Sequence, residues 1–193
     1  MALILASTSP IRRQMLAQAG VEFIAQKPDC DEDAVKDRHD GDAASLALAL
    51  ARAKASSVRA GADDLVIGSD SVVSVEGRLF DKPADRDEAA AHLRLFSGKR
   101  MDLSSAVALV ANGDVSFDHV DTAHLFVREL SDDFIEHYLD ADWPEVSYCV
   151  GVFRMEGPGV TLFEKVDGNH FTILGMPLLP LLGALRAHGA MPS

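Results

Sequence analysis

Apolar and polar positions switch between two periods along the chain. Leu3 to Ala6 form a short apolar run ending in Ser7, Thr8, Ser9 and Pro10, after which Met15, Leu16 and Ala19 recur at helical spacing. Ser9 suits the N-cap, Pro10 the first helical position and Gly20 the residue past the C-terminus, so both ends of a first helix are marked. VEFIAQ, from Val21, predicts a strand. The acidic, weakly periodic residues 28–42 predict an exposed loop, and the Ala/Leu-rich residues 42–61, with polar positions at helical spacing, predict a helix.

β-branched residues dominate 65–80, which predict two strands joined at Glu76-Gly77, with Asp70 set inside the first. Asp85, Glu88 and Gly98 bound a further helix as N-cap, capping partner and C-terminal glycine. Residues 101–127 predict long strands paired through an Asn112-Gly113 turn. A short helix over 131–142, a Gly-rich segment over 148–168 and a last helix from about Pro177 complete the pattern. Strands alternating with helices around a central hairpin predict an α/β protein with a mixed sheet. With no repeat and no Gly/Ser or Pro-rich linker, residues 1–193 read as a single domain.

Composition narrows the function classes. Thirty acidic against 18 basic residues give a formal charge of -12, which disfavours bulk nucleic acid and anionic membrane while leaving room for a small anionic substrate in a locally positive pocket. Cys30 and Cys149 lie far apart with no Cys/His ligand spacing, as expected in a reducing compartment. The N-terminal apolar run is too short for a signal peptide, and the late apolar stretch is broken by Pro177, Pro180 and Gly183, so no membrane span and a cytoplasmic location are expected.

Arg12 and Arg13 sit in the first turn of the first helix, near the positive end of its dipole. Cations there cost roughly 0.3 to 1 kcal/mol each, so helix stability does not explain them. A Ser/Thr turn feeding a helix N-terminus can instead cradle phosphate, the alternative being two solvated surface charges. Familiar nucleotide and hydrolase signatures are missing. Ser97-Gly98-Lys99 lacks the earlier glycine of a Walker loop, the glycines after Glu156 do not complete a dinucleotide fingerprint, and no GxSxG occurs. The remaining candidates are Asp70, Lys82, Glu32 and Lys54. A carboxylate among Val66, Ile67, Val72 and Val73 demands a hydrogen bond, an ionic partner, a metal or a capping role.

Together SxSP-x-R at Ser7 to Arg12, Asp31-Glu32, ARAKA around Lys54, GSDS at Gly68 to Ser71, DKP at Asp81 to Pro83, SGK at Ser97 to Lys99, GVFRMEG at Gly151 to Gly157, Asp167-Gly168 and GMPL at Gly175 to Leu178 resemble the Maf family, in order and over nearly the whole chain. The resemblance implies a mixed central sheet with flanking helices, two lobes around a cleft (Maf/ITPase-like), a homodimer, and metal-dependent hydrolysis of a nucleoside triphosphate to monophosphate and pyrophosphate. It places Ser7, Ser9, Ile11, Arg12, Lys54, Ser71 and Glu156 at the substrate, makes Asp70, Lys82 and Glu32 catalytic, and has Asp70 and Glu32 hold Mg²⁺ or Mn²⁺, with Asp70 alternatively the proton acceptor. Ile11, Ser71 and Glu156 depart from the dTTP/UTP-hydrolysing pattern. SPIRR, GSD and the segment around Glu156 are similar to the branch that prefers 7-methyl-GTP, although that branch usually has an aromatic at position 11 and glutamine at 71. Glu156, an acceptor, suits the paired donors on the guanine edge, and Phe153 is a candidate face for the methylated base. UTP/dTTP or ITP hydrolysis, and a non-catalytic nucleotide-binding role in cell division, are the alternatives.

Overall fold

A computed structural model describes residues 1–192. The elements, in chain order, are β1 (Leu3–Ala6), α1 (Pro10–Gln18), β2 (Ile24–Gln26), α2 (Glu32–Asp37), α3 (Ala43–Ser56), β3 (Leu65–Val75), β4 (Arg78–Phe80), α4 (Arg86–Phe96), β5 (Arg100–Ala111), β6 (Asp114–Val127), α5 (Asp132–Asp142), β7 (Phe163–Asp167), α6 (His170–Ile173) and α7 (Leu178–Ala187). The strands form a mixed sheet in the order β2-β1-β3-β5-β6-β7, with β4 paired to β3. The α/β expectation holds.

Two compact units divide the chain. The first comprises Met1–Ser71, Ser104–Asp121 and the chain from Asn169 onward; the second comprises Val72–Leu103 and Thr122–Gly168. In the first, β1 runs parallel to both β2 and β3, which requires helical crossovers, supplied by α1 and by α2 with α3. Leu5, Leu16, Ile67, Leu109, Met176 and Leu181 bury one sheet face against α1 and α7. In the second, β4 and β7 pair antiparallel with β3 and β6. Phe80, His92 and Phe96 pack ring on ring, and Arg86 ties α4 to α5 through Glu136 and Asp140, each at 2.6 Å.

Both predicted turns form with left-handed backbone, Glu76 and Gly77 at φ 52° and 79° and Asn112 and Gly113 at 54° and 85°, values that Gly and Asn tolerate best. The Asp85 carboxylate accepts from the Glu88 N–H at 2.8 Å, as its spacing predicts. Three expectations need correction. Residues 28–42 contain α2, started by Asp31 accepting from Ala34 N–H at 3.0 Å; this helix buries none of its residues, so no apolar stripe announced it. VEFIAQ is strand only over Ile24–Gln26. Ser9 is extended at the start of α1 but its side chain makes no capping bond; the hydroxyl that acts at this turn is that of Ser7, whose Oγ accepts from the Ser9 N–H at 3.1 Å. No helix among the described residues is long and apolar enough to cross a membrane.

Candidate active site

In the first unit one glycine sets the separation of helix and sheet. A Cβ on Gly68 would fall 2.1 Å from the Ala51 carbonyl oxygen and 2.5 Å from the Ala55 nitrogen, so α3 lies directly on β3 at this point. Ala51 and Ala55 are four apart and form the contact face; Lys54 projects from the same side of α3. Asp70 follows Gly68 by two residues and therefore points to the same sheet face. The Lys54 ammonium reaches Asp70 Oδ1 at 2.8 Å and Glu32 Oε1 at 3.0 Å. Lys54 and Asp70 are nearly enclosed, whereas the Glu32 side chain is 44% exposed. Asp70 is an ion-paired strand residue and not a turn cap.

Parallel register places Ala6 opposite Gly68, so the Ser7–Ser9 turn leaves β1 at the level where β3 carries Ser69 to Ser71. Arg12, on the first turn of α1, donates from Nε to the Gly175 carbonyl at 2.9 Å, from Nη1 to the Ser69 carbonyl at 3.0 Å and from Nη2 to Ser71 Oγ at 3.1 Å. These bonds use three of its five N–H groups. Burial lowers its pKa, against the opposing pull of Asp70 and Glu32, and a guanidinium in that setting stays charged. Arg12 is thus built into the fold, while Arg13 is exposed and reaches only the Ser7 carbonyl at 3.5 Å. Ser7 is buried and Ile11 half-buried beside this turn.

Ser71 is spoken for within the first unit. Its hydroxyl contacts Ser105 Oγ at 2.9 Å and the Gly175 carbonyl at 3.3 Å, and Ser105 donates on to the Thr172 carbonyl at 2.8 Å. Gly175, at φ +99°, also accepts from Ser69 Oγ at 3.1 Å. Ser69 lies within the GSDS motif without a role of its own there, and Ser105 was not singled out; the signal for both is short polar residues interrupting a largely buried strand.

Lys82 and Glu156 belong to the second unit. There the charges of Glu156, Arg154, Lys82 and Asp142 all act on Cys149, whose thiol is pushed up to about 11, burial being the main cause. Lys82 and Glu156 are both exposed. Phe153 is a correction: it is buried and packs edge-on against Phe163 with ring centres 5.0 Å apart, so it offers no open stacking face. Cys30, in the first unit, is likewise raised, by burial and then by Glu32.

The chemistry of the first-unit group follows from its charges. One ammonium between two carboxylates leaves a surplus negative charge, and hard oxygen donors in that number suit a divalent cation that takes its remaining ligands from phosphate and water. Among the described residues no group of three or more His, Cys, Asp or Glu side chains is placed to hold a metal ion, so the protein's share would be these two carboxylates alone. Arg12, with two spare N–H groups beside the uncapped start of α1, suits an anion.

A family profile described as Maf-like protein matches residues 2–188. The chain is 47% identical over 193 residues to the 7-methyl-GTP pyrophosphatase of Rhizobium meliloti (strain 1021), covering 98% of this chain and 97% of the relative. It is 45% identical over 188 residues to the nucleoside triphosphate pyrophosphatase of Nitrobacter winogradskyi, covering 96% and 93%. Among solved structures, a nucleoside-triphosphatase / dITP/XTP pyrophosphatase from Mycobacterium abscessus is similar at a TM-score of 0.43 and 14% identity, over 98% of this chain and 95% of that one.

Proposed function

The chain belongs to the Maf family, and from that premise we propose that it hydrolyses nucleoside triphosphates to monophosphate and pyrophosphate, with 7-methyl-GTP preferred and Mg²⁺ or Mn²⁺ required. The observation that carries the catalytic part is the Lys54-bridged pair of Asp70 and Glu32 in the same unit as the anchored Arg12. The profile match runs continuously through both units, which supports one catalytic domain.

Asp70 and Glu32 would hold the cation, which when bound neutralises triphosphate charge and makes water a better nucleophile. The chain's own groups do the rest. Arg12 and the N–H groups at the start of α1 bind phosphate oxygens, with Ser7 and Ser9 shaping the turn and Ile11 walling it. Ser71 sets the guanidinium of Arg12 through its hydroxyl. Lys54 aims Asp70 through its 2.8 Å bond, and in the alternative to holding the cation Asp70 accepts the proton as water oxygen attacks the α-phosphorus and the bond to the bridging oxygen breaks. Lys82 meets the charge that collects on departing pyrophosphate.

Base preference rests on Glu156. A carboxylate only accepts, matching N1–H and the 2-amino group of guanine, whereas uracil and thymine present one N–H between two carbonyl oxygens. The positive charge that methylation at N7 adds to guanine favours a carboxylate further. Pyrophosphate release with Mg²⁺ or Mn²⁺ over GTP, 7-methyl-GTP, UTP, dTTP, CTP and ITP tests both parts. The expected result is highest kcat/KM on 7-methyl-GTP, lost on chelation. Glu156→Gln should shift the ratio of 7-methyl-GTP to UTP by roughly 1 to 3 kcal/mol, the cost of mispaired polar groups. A rise in melting temperature with nucleotide but no turnover would favour the regulatory alternative.

A further inference from the structure

The segment carrying Glu156 is held from below by one face of α5. Tyr138 and Asp142 are four residues apart on that helix and so share a face. Tyr138 donates its hydroxyl to the Val152 carbonyl at 2.9 Å. Asp142, with its side chain 2% exposed, is gripped by Arg154, whose Nε lies 3.3 Å from Oδ2 and whose Nη2 bonds Oδ1. The two anchored residues, Val152 and Arg154, are in turn two apart.

Between these anchors and Glu156 the backbone has little freedom. Val152 is fully buried at φ +54°, a left-handed conformation that a β-branched residue adopts only under constraint. The Gly157 N–H donates to the Arg154 carbonyl at 3.1 Å, closing a turn with Met155 and Glu156 at its centre. A Cβ at Gly159 would lie 2.6 Å from both the nitrogen and the carbonyl oxygen of Arg154, so the returning chain presses against the same residue. Burial raises the Tyr138 pKa, which keeps its hydroxyl a donor at any working pH.

We infer that Tyr138 and the Asp142–Arg154 pair are positioning residues for base selection: they hold a strained loop whose one exposed carboxylate, Glu156, meets the base. This rests on the reading of Glu156 above and extends it to three residues that never touch the base.

The test uses Tyr138→Phe, which removes only a hydroxyl, and Arg154→Lys, which keeps the charge opposite Asp142 but not the two-bond grip, with melting temperature as the check of folding. Each is expected to lower the ratio of kcat/KM for 7-methyl-GTP over UTP at least threefold, while inhibition by inorganic tripolyphosphate, which carries no base, stays unchanged. Because the effect passes through Glu156, Tyr138→Phe made in the Glu156→Gln background should move the ratio no further. An unchanged ratio in both folded single variants overturns the inference, as does an undiminished effect in the Gln background. If Glu156→Gln alone leaves the ratio where it was, base reading by Glu156 fails, and the positioning role fails with it.

Discussion

Lys54 in the first unit and Arg154 in the second are both partly enclosed cations on acidic partners, yet their charges balance differently. Lys54 is shared by Asp70 and Glu32, one of them 44% exposed, so the group carries a surplus negative charge that faces solvent. Arg154 meets the single buried Asp142 with two bonds and leaves nothing over. A closed pair like the second fixes backbone; an open, unbalanced one like the first is available to a ligand. Both are ion pairs, and only their stoichiometry and exposure tell them apart.

Breaking the closed pair should have the largest effect on folding. Arg154→Met leaves Asp142 buried and uncompensated, and is expected to lower stability by about 3 to 5 kcal/mol, read by urea unfolding. Asp70→Asn, in the open group, should leave the unfolding midpoint nearly unchanged and cut kcat by about a hundredfold or more, equivalent to about 2.7 kcal/mol. Near-normal pyrophosphate release from that variant would remove Asp70 from the reaction. Arg12→Ala should mainly raise KM, by about tenfold, since a phosphate contact made before and during reaction affects binding most; equal KM values would make its anchored bonds purely structural. The smallest effect concerns pH. Cys149 is neutral to about 11 when folded but ionises from its ordinary 9.0 when unfolded. The unfolded chain therefore holds fewer protons between those values, and stability falls as pH rises through that window. Cys149→Ser should flatten this alkaline limb, the remainder belonging to Tyr138 and Cys30, which are raised as well.

Features written in local backbone requirements were legible from the sequence. Glu76-Gly77 and Asn112-Gly113 turn where positive φ is needed, and Asp85 caps α4 where a carboxylate must precede a helix. Asp70 stood out because ionised groups are rare in β-branched runs. Lys54 was a candidate as well, but its pairing with Asp70 was not legible, because the reach of Lys54 depends on Gly68 letting α3 lie against β3, a fact of packing that periodicity cannot express. Phe153 misled for a similar reason. With no side chain on Gly151, the ring folds back over it, a Cβ there falling 2.6 Å from the ring edge, and its face turns inward. The acidic run 28–42 concealed α2 because an exposed helix has no apolar face to declare it.

The bond from Arg12 to the Gly175 carbonyl spans 163 residues of chain. During synthesis at about 5 to 20 residues per second, the guanidinium waits on the order of ten to thirty seconds before its acceptor exists. Until then Ser69 and Ser71 are the only two of its three partners already made, so the side chain of Arg12 takes its final setting only when the chain has passed Gly175.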